Sequence, residues 1–413
     1  MAVQKKRGFF ERLFEKFAGT KESESTPVSS KINVEEYKKE LHDKGVAGVK
    51  ELLNKDLENW TEIELHTAVV GNSGTGKSSF INSIRGLKAK DPGAAKVGVN
   101  ETTVTCVPYK HPDNKSFIVW DIPGVGTPKF PKDSYLENVG YDKYDFFIIM
   151  SRSRFTENDL WLALEVQKLN KRFFFVRSNI DKDIEDDRED NPDTHDEENV
   201  LQAIRKKTED ELMGNGVRAP KVFLINNRKT DRYDFGKLNN EMLSSCDGLK
   251  KDSMALSLAA VTKEVMAEKK RVLERRISQI ALAVTSSSGE YEQKGRFQDE
   301  IKFYQKQFDI DDVTLAENKD ILTLSDSNMQ EFKVVFDQYG SEGQLSMKTP
   351  TAMRAEASTW ERFKDCFTWS KENTLLFGYC KLALRSNLDQ LYDKARSLYD
   401  IKRAKQMVDA AAK

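Results

Sequence analysis

Ile63-Glu64-Leu65-His66-Thr67-Ala68-Val69-Val70 runs directly into Gly71-Asn72-Ser73-Gly74-Thr75-Gly76-Lys77-Ser78-Ser79-Phe80. The first half alternates and then turns apolar, as a strand entering a buried sheet does. The second half fits G-x-x-x-x-G-K-[ST], the phosphate-binding loop. Gly71, Gly74 and Gly76 open backbone angles closed to other residues. The N–H groups of Asn72, Ser73, Thr75 and the residues after them can then turn inward around phosphate oxygens. Lys77 supplies a point charge toward the β- and γ-phosphates, and Ser78 offers a hydroxyl to Mg²⁺. A helix starting near Lys77 and carrying Ser78 and Ser79 in its first turn points its positive dipole end at the anion. The plain alternative, a glycine-rich strand–helix turn that binds nothing, does not account for the full motif behind a strand.

At 413 residues the chain is long for one domain, so two are expected. A formal net charge of −1 argues against a general nucleic-acid binder. Cys106, Cys246, Cys366 and Cys380 are scattered without a C-x-x-C pair, which points to reduced thiols in a cytoplasmic protein. The four histidines lack metal-ligand spacing. There is no run of about 18 apolar residues, which predicts no transmembrane helix, and no secretory signal is visible. Ala2 follows Met1, where myristoylation requires glycine.

Taken in order, residues 1–31 form an amphipathic segment and a linker. Phe9, Phe10, Leu13, Phe14 and Phe17 fall on one helical face between charged flanks. Such a face suits a membrane interface or docking on protein. Residues 32–60 read as a helical segment that packs with the C-terminal helices. From 61 to 245 strands and helices alternate, the pattern of a mostly parallel sheet covered on both faces. Strands are expected at 116–120, 144–150, 172–176 and 221–225, and Asn158 is expected to cap a helix running to about Asn170. The acidic run 181–198 reads as a solvated loop. Residues 246–413 carry long helical patterns without strands: 254–285, 291–308, 326–339, 355–368 and 372–399.

Three further stretches carry chemistry. Asp121-Ile122-Pro123-Gly124 follows a strand about 45 residues after the phosphate loop. There an Asp holds the Mg²⁺ shell and the Gly lets a backbone N–H reach the γ-phosphate. That shifts the reading from a P-loop ATPase toward a GTPase. Guanine presents two N–H donors on one edge, and a carboxylate suits them. Ser178-Asn179-Ile180-Asp181 follows a strand and places Asp181 at the fourth position of an N/T-K-x-D turn, with Asn179 where Lys is usual. Ile225-Asn226-Asn227-Arg228 ends the next strand, where a backbone N–H at Asn226 can read the guanine O6. Thr102, Thr103 and Thr105 compete to complete the Mg²⁺ shell from a first switch. Val125 stands where many GTPases carry the Gln that orients the attacking water, and it cannot do so.

These stretches resemble the immunity-related GTPases, the interferon-inducible p47 family, in its GKS subgroup. Gly71–Asn82, Gly93-Ala94-Ala95-Lys96-x-Gly98-Val99, Pro108-Tyr109-Lys110-His111-Pro112, Trp120–Gly124 and Tyr144-Asp145-Phe146-Phe147 are close to family stretches. Phe173-Phe174-Phe175-Val176-Arg177 and Tyr233-Asp234-Phe235 extend the likeness to about 33–240. The resemblance implies a Ras-like GTPase domain with a mixed, mostly parallel sheet, plus an all-α domain built from N- and C-terminal segments. It implies GTP and GDP as substrate and product with Mg²⁺, and GTP-dependent self-assembly into dimers or oligomers. Action at intracellular membranes in innate immune defence, by a cytoplasmic and peripherally bound protein, is implied too. The family's first-switch glutamate aligns with Glu101 and its threonine with Thr103, so Lys77, Glu101 and Thr103 are the expected catalytic set and Ser78, Thr103 and Asp121 the metal set. Ser178-Asn179 departs from the family's T-K. Residues 278–300 are more polar than the family's membrane-directed helix.

Two readings follow. One is an enzyme that hydrolyses GTP. The other is a nucleotide-gated scaffold with little or no turnover that recruits partners.

Overall fold

The structure is a computed structural model that describes residues 7–8, 10–11, 13–14, 33–97, 105–126, 130–287, 289–317 and 372–411. Its strands are β1 (Leu65–Gly71), β2 (Val107–Lys110), β3 (Phe117–Asp121), β4 (Phe146–Ser151), β5 (Arg172–Arg177) and β6 (Val222–Leu224). The helices are α1 (Val34–Glu58), α2 (Lys77–Ile84), α3 (Tyr135–Val139), α4 (Glu157–Lys168), α5 (Ile180–Asp190) and α6 (Glu197–Gly214). They continue with α7 (Phe235–Ser244), α8 (Gly248–Ser257), α9 (Lys263–Ser286), α10 (Glu290–Gln307), α11 (Asp312–Glu317) and α12 (Glu372–Ala411). The chain divides into two compact units, residues 60–265 and residues 1–59 with 266–413.

The unit 60–265 is built on a six-stranded sheet in the order β2-β3-β1-β4-β5-β6. Only β2 runs antiparallel to its neighbour; β3, β1, β4, β5 and β6 are parallel. Every residue of β4 is buried, as a central strand covered on both faces requires. One face holds a cluster of Ala68, Val70, Ile122, Tyr135, Ile149 and Phe175 among others. Sequence order turns around at β1, with β3 on one side and β4 on the other. Parallel α/β sheets bind ligands at such a switch point, beyond the carboxyl ends of the strands. Gly71, Asp121, Ser151 and Arg177 all lie at those ends.

Four sequence expectations are corrected here. The acidic run is not a loop: α5 spans its first part. Ile180 and Ile184, one turn apart, are buried, and Asp181 and Asp183 sit in the first turn, where carboxylates favour the helix dipole. Arg177 bonds Asp183 at 2.9 Å. Asn158 is not the cap of α4; Thr156 is, in a capping box with Asp159. The helix expected over 254–285 is two helices, because Leu258 is extended and the Thr262 hydroxyl accepts from Val265 N (3.1 Å) to open α9. The first compact unit ends at Val265 rather than 245, since α8 packs on β1, β3 and α7. Strand β2 was not foreseen; it is short, with alternating exposure, and contains Pro108. Helices expected at 326–339 and 355–368 lie outside the described residues.

The other unit is helical. Tyr37, Leu41, Val49, Leu53 and Leu57 of α1 are buried, as are Leu273 and Ile277 of α9, Ile301 and Tyr304 of α10, and Leu384 and Leu388 of α12. Arg276 joins three of these helices, donating to the Leu57 carbonyl (3.0 Å) and to Glu300 (3.3 Å). Phe10, Leu13 and Phe14 of the N-terminal segment are buried here, with Phe14 against Tyr37 at 5.8 Å between ring centroids. That face docks on protein, one of the two uses its pattern allowed; Phe9 and Phe17 lie outside the described residues. Phe14→Ala should cost about 3–5 kcal/mol of this unit's stability, read as a lowered urea midpoint. Residues Ile280–Ser287, the apolar start of 278–300, are buried as core. Among the described residues no helix is long and apolar enough to cross a membrane.

Candidate functional site

The phosphate loop leaves β1 at Gly71. A Cβ there would lie 2.3 Å from the Met150 carbonyl oxygen on the neighbouring strand, so only glycine fits. Gly76, the residue before α2, has φ +85 and closes the turn into the helix. Thr75 Oγ1 donates back to the Asn72 carbonyl at 2.9 Å, and Lys77 Nζ donates to the carbonyls of Gly71 (2.9 Å) and Asn72 (3.3 Å). The ammonium thus lies over the turn that its own backbone makes. Ser78 and Ser79 follow in the first turn of α2, with Ser73 and Gly74 between the carbonyl anchors.

Asp121 pairs with Val69 across the β1–β3 register, and it is buried at the strand end. Gly124 follows in a turn that returns to the phosphate loop: a Cβ on it would meet the Gly71 carbonyl oxygen at 3.5 Å and Asn72 Oδ1 at 3.7 Å. The Tyr135 hydroxyl holds that turn by donating to the Pro123 carbonyl at 2.8 Å. Val125 points into the hydrophobic cluster, which gives the residue a packing role and explains why no water-orienting side chain stands there.

The third and fourth stretches act on the phosphate loop from the other side. The buried Ser178 hydroxyl donates to the Thr75 carbonyl at 2.7 Å. Asn227 donates to the Gly76 carbonyl at 3.1 Å and accepts from Ser83 Oγ at 2.5 Å. Ser178 and Asn227 therefore fix the loop by its carbonyls. Asn179 has φ +56 and precedes α5, which sets Asp181 in the first turn of that helix. Ile180 N donates to the Ile225 carbonyl at 3.3 Å, joining the two loops. Asn226 Oδ1 accepts from Arg228 N at 2.7 Å and stabilises its own turn. Glu101, Thr102 and Thr103 lie outside the described residues; Thr105 is described and exposed.

Sequence reasoning missed Asn227, Thr156 and Asn158 as supports. Asn72 Nδ2 donates to Thr156 Oγ1 at 3.4 Å, and Asn158 donates to the Val125 carbonyl at 2.8 Å. Burial pushes the Asp159 carboxyl up, against the lowering pull of the Thr156 N–H and hydroxyl and the Lys77 charge. The capping-box spacing T-x-x-D was the available signal for Thr156.

The matching family model is described as Interferon-inducible GTPase (IIGP) and covers residues 30–369. The chain belongs to the interferon-inducible GTPase family. Interferon-inducible GTPase 1 of Mus musculus is 40% identical over 213 residues, 52% of this chain and 52% of that protein. T-cell-specific guanine nucleotide triphosphate-binding protein 2 of Mus musculus is 34% identical over 289 residues, covering 68% and 69%. Interferon-inducible GTPase 5 of Bos taurus is 33% identical over 303 residues, covering 71% and 65%. The chain spans about half the length of the first of these relatives. A crystal structure of Era in complex with MgGDPNP and ribosomal RNA aligns with a TM-score of 0.33 and 16% identity, covering 55% of this chain and 69% of that one. Like the rest of this interferon-inducible GTPase family member, Tyr233-Asp234-Phe235 has a structural part. Asp234 accepts from Leu224 N (2.9 Å) and pairs with Arg205 and Lys237.

Burial alone raises the Asp234 carboxyl, but these bonds outweigh it and hold it below the usual carboxylate range. A depressed folded pKa contributes stability that is present above the unfolded value, ~3.9, and is lost as pH falls through the folded value. Asp234→Asn should cost about 3 kcal/mol at pH 7. Urea titrations at pH 7 and pH 3 should show the gap between parent and variant closing in acid.

Proposed function

We propose that the chain binds GTP at the β1–α2 loop, hydrolyses it to GDP and phosphate, and self-assembles in the GTP state. We propose further that it is cytoplasmic and acts peripherally at intracellular membranes in innate immune defence, as the family resemblance implies. The observation that carries the binding reading is the convergence on one turn: Gly124 abuts Gly71 and Asn72, while Ser178 and Asn227 hold the carbonyls of Thr75 and Gly76. Such tethers fix a loop with its N–H groups available to an anion. Ser78 and Asp121 would hold Mg²⁺, which bridges and neutralises the phosphates when bound. Their oxygen-only chemistry suits that hard cation, which takes few protein ligands; among the described residues no cluster of three or more His, Cys, Asp or Glu side chains could hold a metal.

Burial of Val125 in the core favours one alternative, the nucleotide-gated scaffold that recruits partners without turnover. Hydrolysis needs another water-positioning group, and Glu101 is our assignment, with Thr103 completing the metal shell. A carboxylate in the first switch acts only once its geometry is fixed, and assembly can fix it; such positioning is worth several kcal/mol. GTP turnover per molecule should therefore rise with protein concentration, and Glu101→Ala should bind GTP yet lose most of that rise. Concentration-independent activity in the parent would speak against assembly as the trigger. A protein that binds GTP tightly with no turnover at any concentration is the scaffold.

A further inference from the structure

We propose that Asn158 is a positioning residue that couples the second switch to the phosphate loop, and so sets the preference for a nucleoside triphosphate over a diphosphate. This rests on the nucleotide-binding reading above. Two contacts leave the same end of α4 in different directions. From Thr156, Oγ1 receives the Asn72 amide of the phosphate loop at 3.4 Å. From Asn158, Nδ2 donates to the Val125 carbonyl at 2.8 Å, the residue directly after Gly124.

The base from which these side chains reach is rigid. Thr156 N donates to Asp159 Oδ2 at 2.9 Å, the Thr156 hydroxyl does so at 2.8 Å, and Asp159 N returns to Thr156 Oγ1 at 3.4 Å. Asp159, Leu162 and Ala163 are buried on the inner side of the helix. The segment that Asn158 grips is also anchored by the Tyr135 hydroxyl on the Pro123 carbonyl, by the buried Val125 side chain, and at Gly126, whose N–H donates to the Phe130 carbonyl at 2.9 Å. Gly126 has φ +82, and a Cβ on it would lie 3.0 Å from Asn158 Nδ2. The amide nitrogen therefore lies close against a residue whose backbone angle favours glycine, and a side chain there would crowd the amide.

The chemistry follows from where Gly124 sits. Its N–H is the second-switch group that meets the γ-phosphate in the proposed site, and a diphosphate gives it nothing to meet. Holding Val125 by its carbonyl limits the rotation of the peptide chain one residue downstream. With the clamp, Gly124 is already placed when a triphosphate arrives; without it, binding the triphosphate must first order the turn. The lost interaction therefore appears in triphosphate affinity more than in diphosphate affinity.

The test is the ratio of affinities for a non-hydrolysable GTP analogue and GDP, measured by calorimetry on the full chain. One net hydrogen bond to a buried carbonyl corresponds to roughly a five- to tenfold change. Asn158→Ala should lower the analogue-to-GDP ratio by about that factor. Asn158→Asp keeps the size but offers no donor to a carbonyl, and should match the Ala variant. Gly126→Ala should lower the ratio as well, and the double variant Asn158→Ala/Gly126→Ala should fall short of the product of the two effects, because both break one contact. A general loss of folding would move both nucleotides together and leave the ratio alone. A parent that binds neither nucleotide overturns the functional reading and this inference with it. A parent that binds both, with Asn158→Ala and Asn158→Asp keeping its ratio, overturns this inference only.

Discussion

Lys77→Ala should bind GTP at least a hundredfold more weakly than the parent while unfolding at nearly the same urea concentration. The first half of that result follows from charge. Lys77 Nζ reaches the carbonyls of both Gly71 and Asn72 and so sits over the turn meant for the phosphates. Hydrogen bonds to ionised groups contribute about 1.5–3 kcal/mol each. Two of them, to the β- and γ-phosphates, correspond to roughly a hundred- to ten-thousandfold. The second half follows from what holds the loop. Thr75 is held by Ser178, Gly76 by Asn227, and Phe80 on the same short helix is fully buried against Phe235. None of those contacts involves the Lys77 side chain, and alanine favours a helix. Calorimetry with GTP and GDP, beside a urea titration, reads both halves. Unchanged affinity in a folded variant would remove the phosphate loop from the proposed site.

What was legible in the chain was short-range. The run from Leu65 to Ile84 could be read as strand, loop and helix because each residue acts through neighbours a few positions away. Strands β3, β4, β5 and β6 were visible because apolar runs bounded by turn residues need a buried sheet. In the acidic run position outweighs composition: two buried isoleucines, Ile180 and Ile184, decide a helix that carries seven carboxylates between Asp181 and Asp190. Strand β2 gave no clear apolar pattern, being a four-residue edge. The supports of the site were beyond reach for a different reason. The Ser178–Thr75 bond spans 103 residues and the Asn227–Gly76 bond spans 151. Ser178 opens the stretch that leads to Asp181, and its part in holding the loop through the Thr75 carbonyl has no local signal. Val125 was read only as a missing Gln, whereas its side chain has a place in the core.

The second large effect concerns the base. Asp181→Asn should shift the ratio of GTP to XTP affinity by about a thousandfold toward XTP. Guanine offers two N–H donors on the edge that a carboxylate can accept, and each bond to an ionised acceptor contributes about 1.5–3 kcal/mol. The amide of Asn replaces one acceptor by a donor, which guanine meets with a donor of its own and xanthine meets with an oxygen. A site built on hydrogen bonds discriminates strongly against a partner that leaves its groups unmatched. The backbone around Asp181 supports a fixed reader. Asn179 adopts φ +56 and turns the chain into α5, Ile180 is buried and bonded to the Ile225 carbonyl, and Arg177 holds Asp183 in the same helical turn. Removing one carboxylate from the first turn of α5 costs about 0.5 kcal/mol through the helix dipole, too little to unfold the unit. Asn179, standing where a lysine stem lies along the base in T-K-x-D turns, takes away stacking area but not the edge contact, so the switch should be visible even if overall affinity is modest. Competition of labelled GTP by unlabelled GTP and XTP, for parent and Asp181→Asn side by side, measures the ratio. If the variant keeps the parent's ratio, Asp181 serves only the helix dipole in the first turn of α5 and the base is read elsewhere.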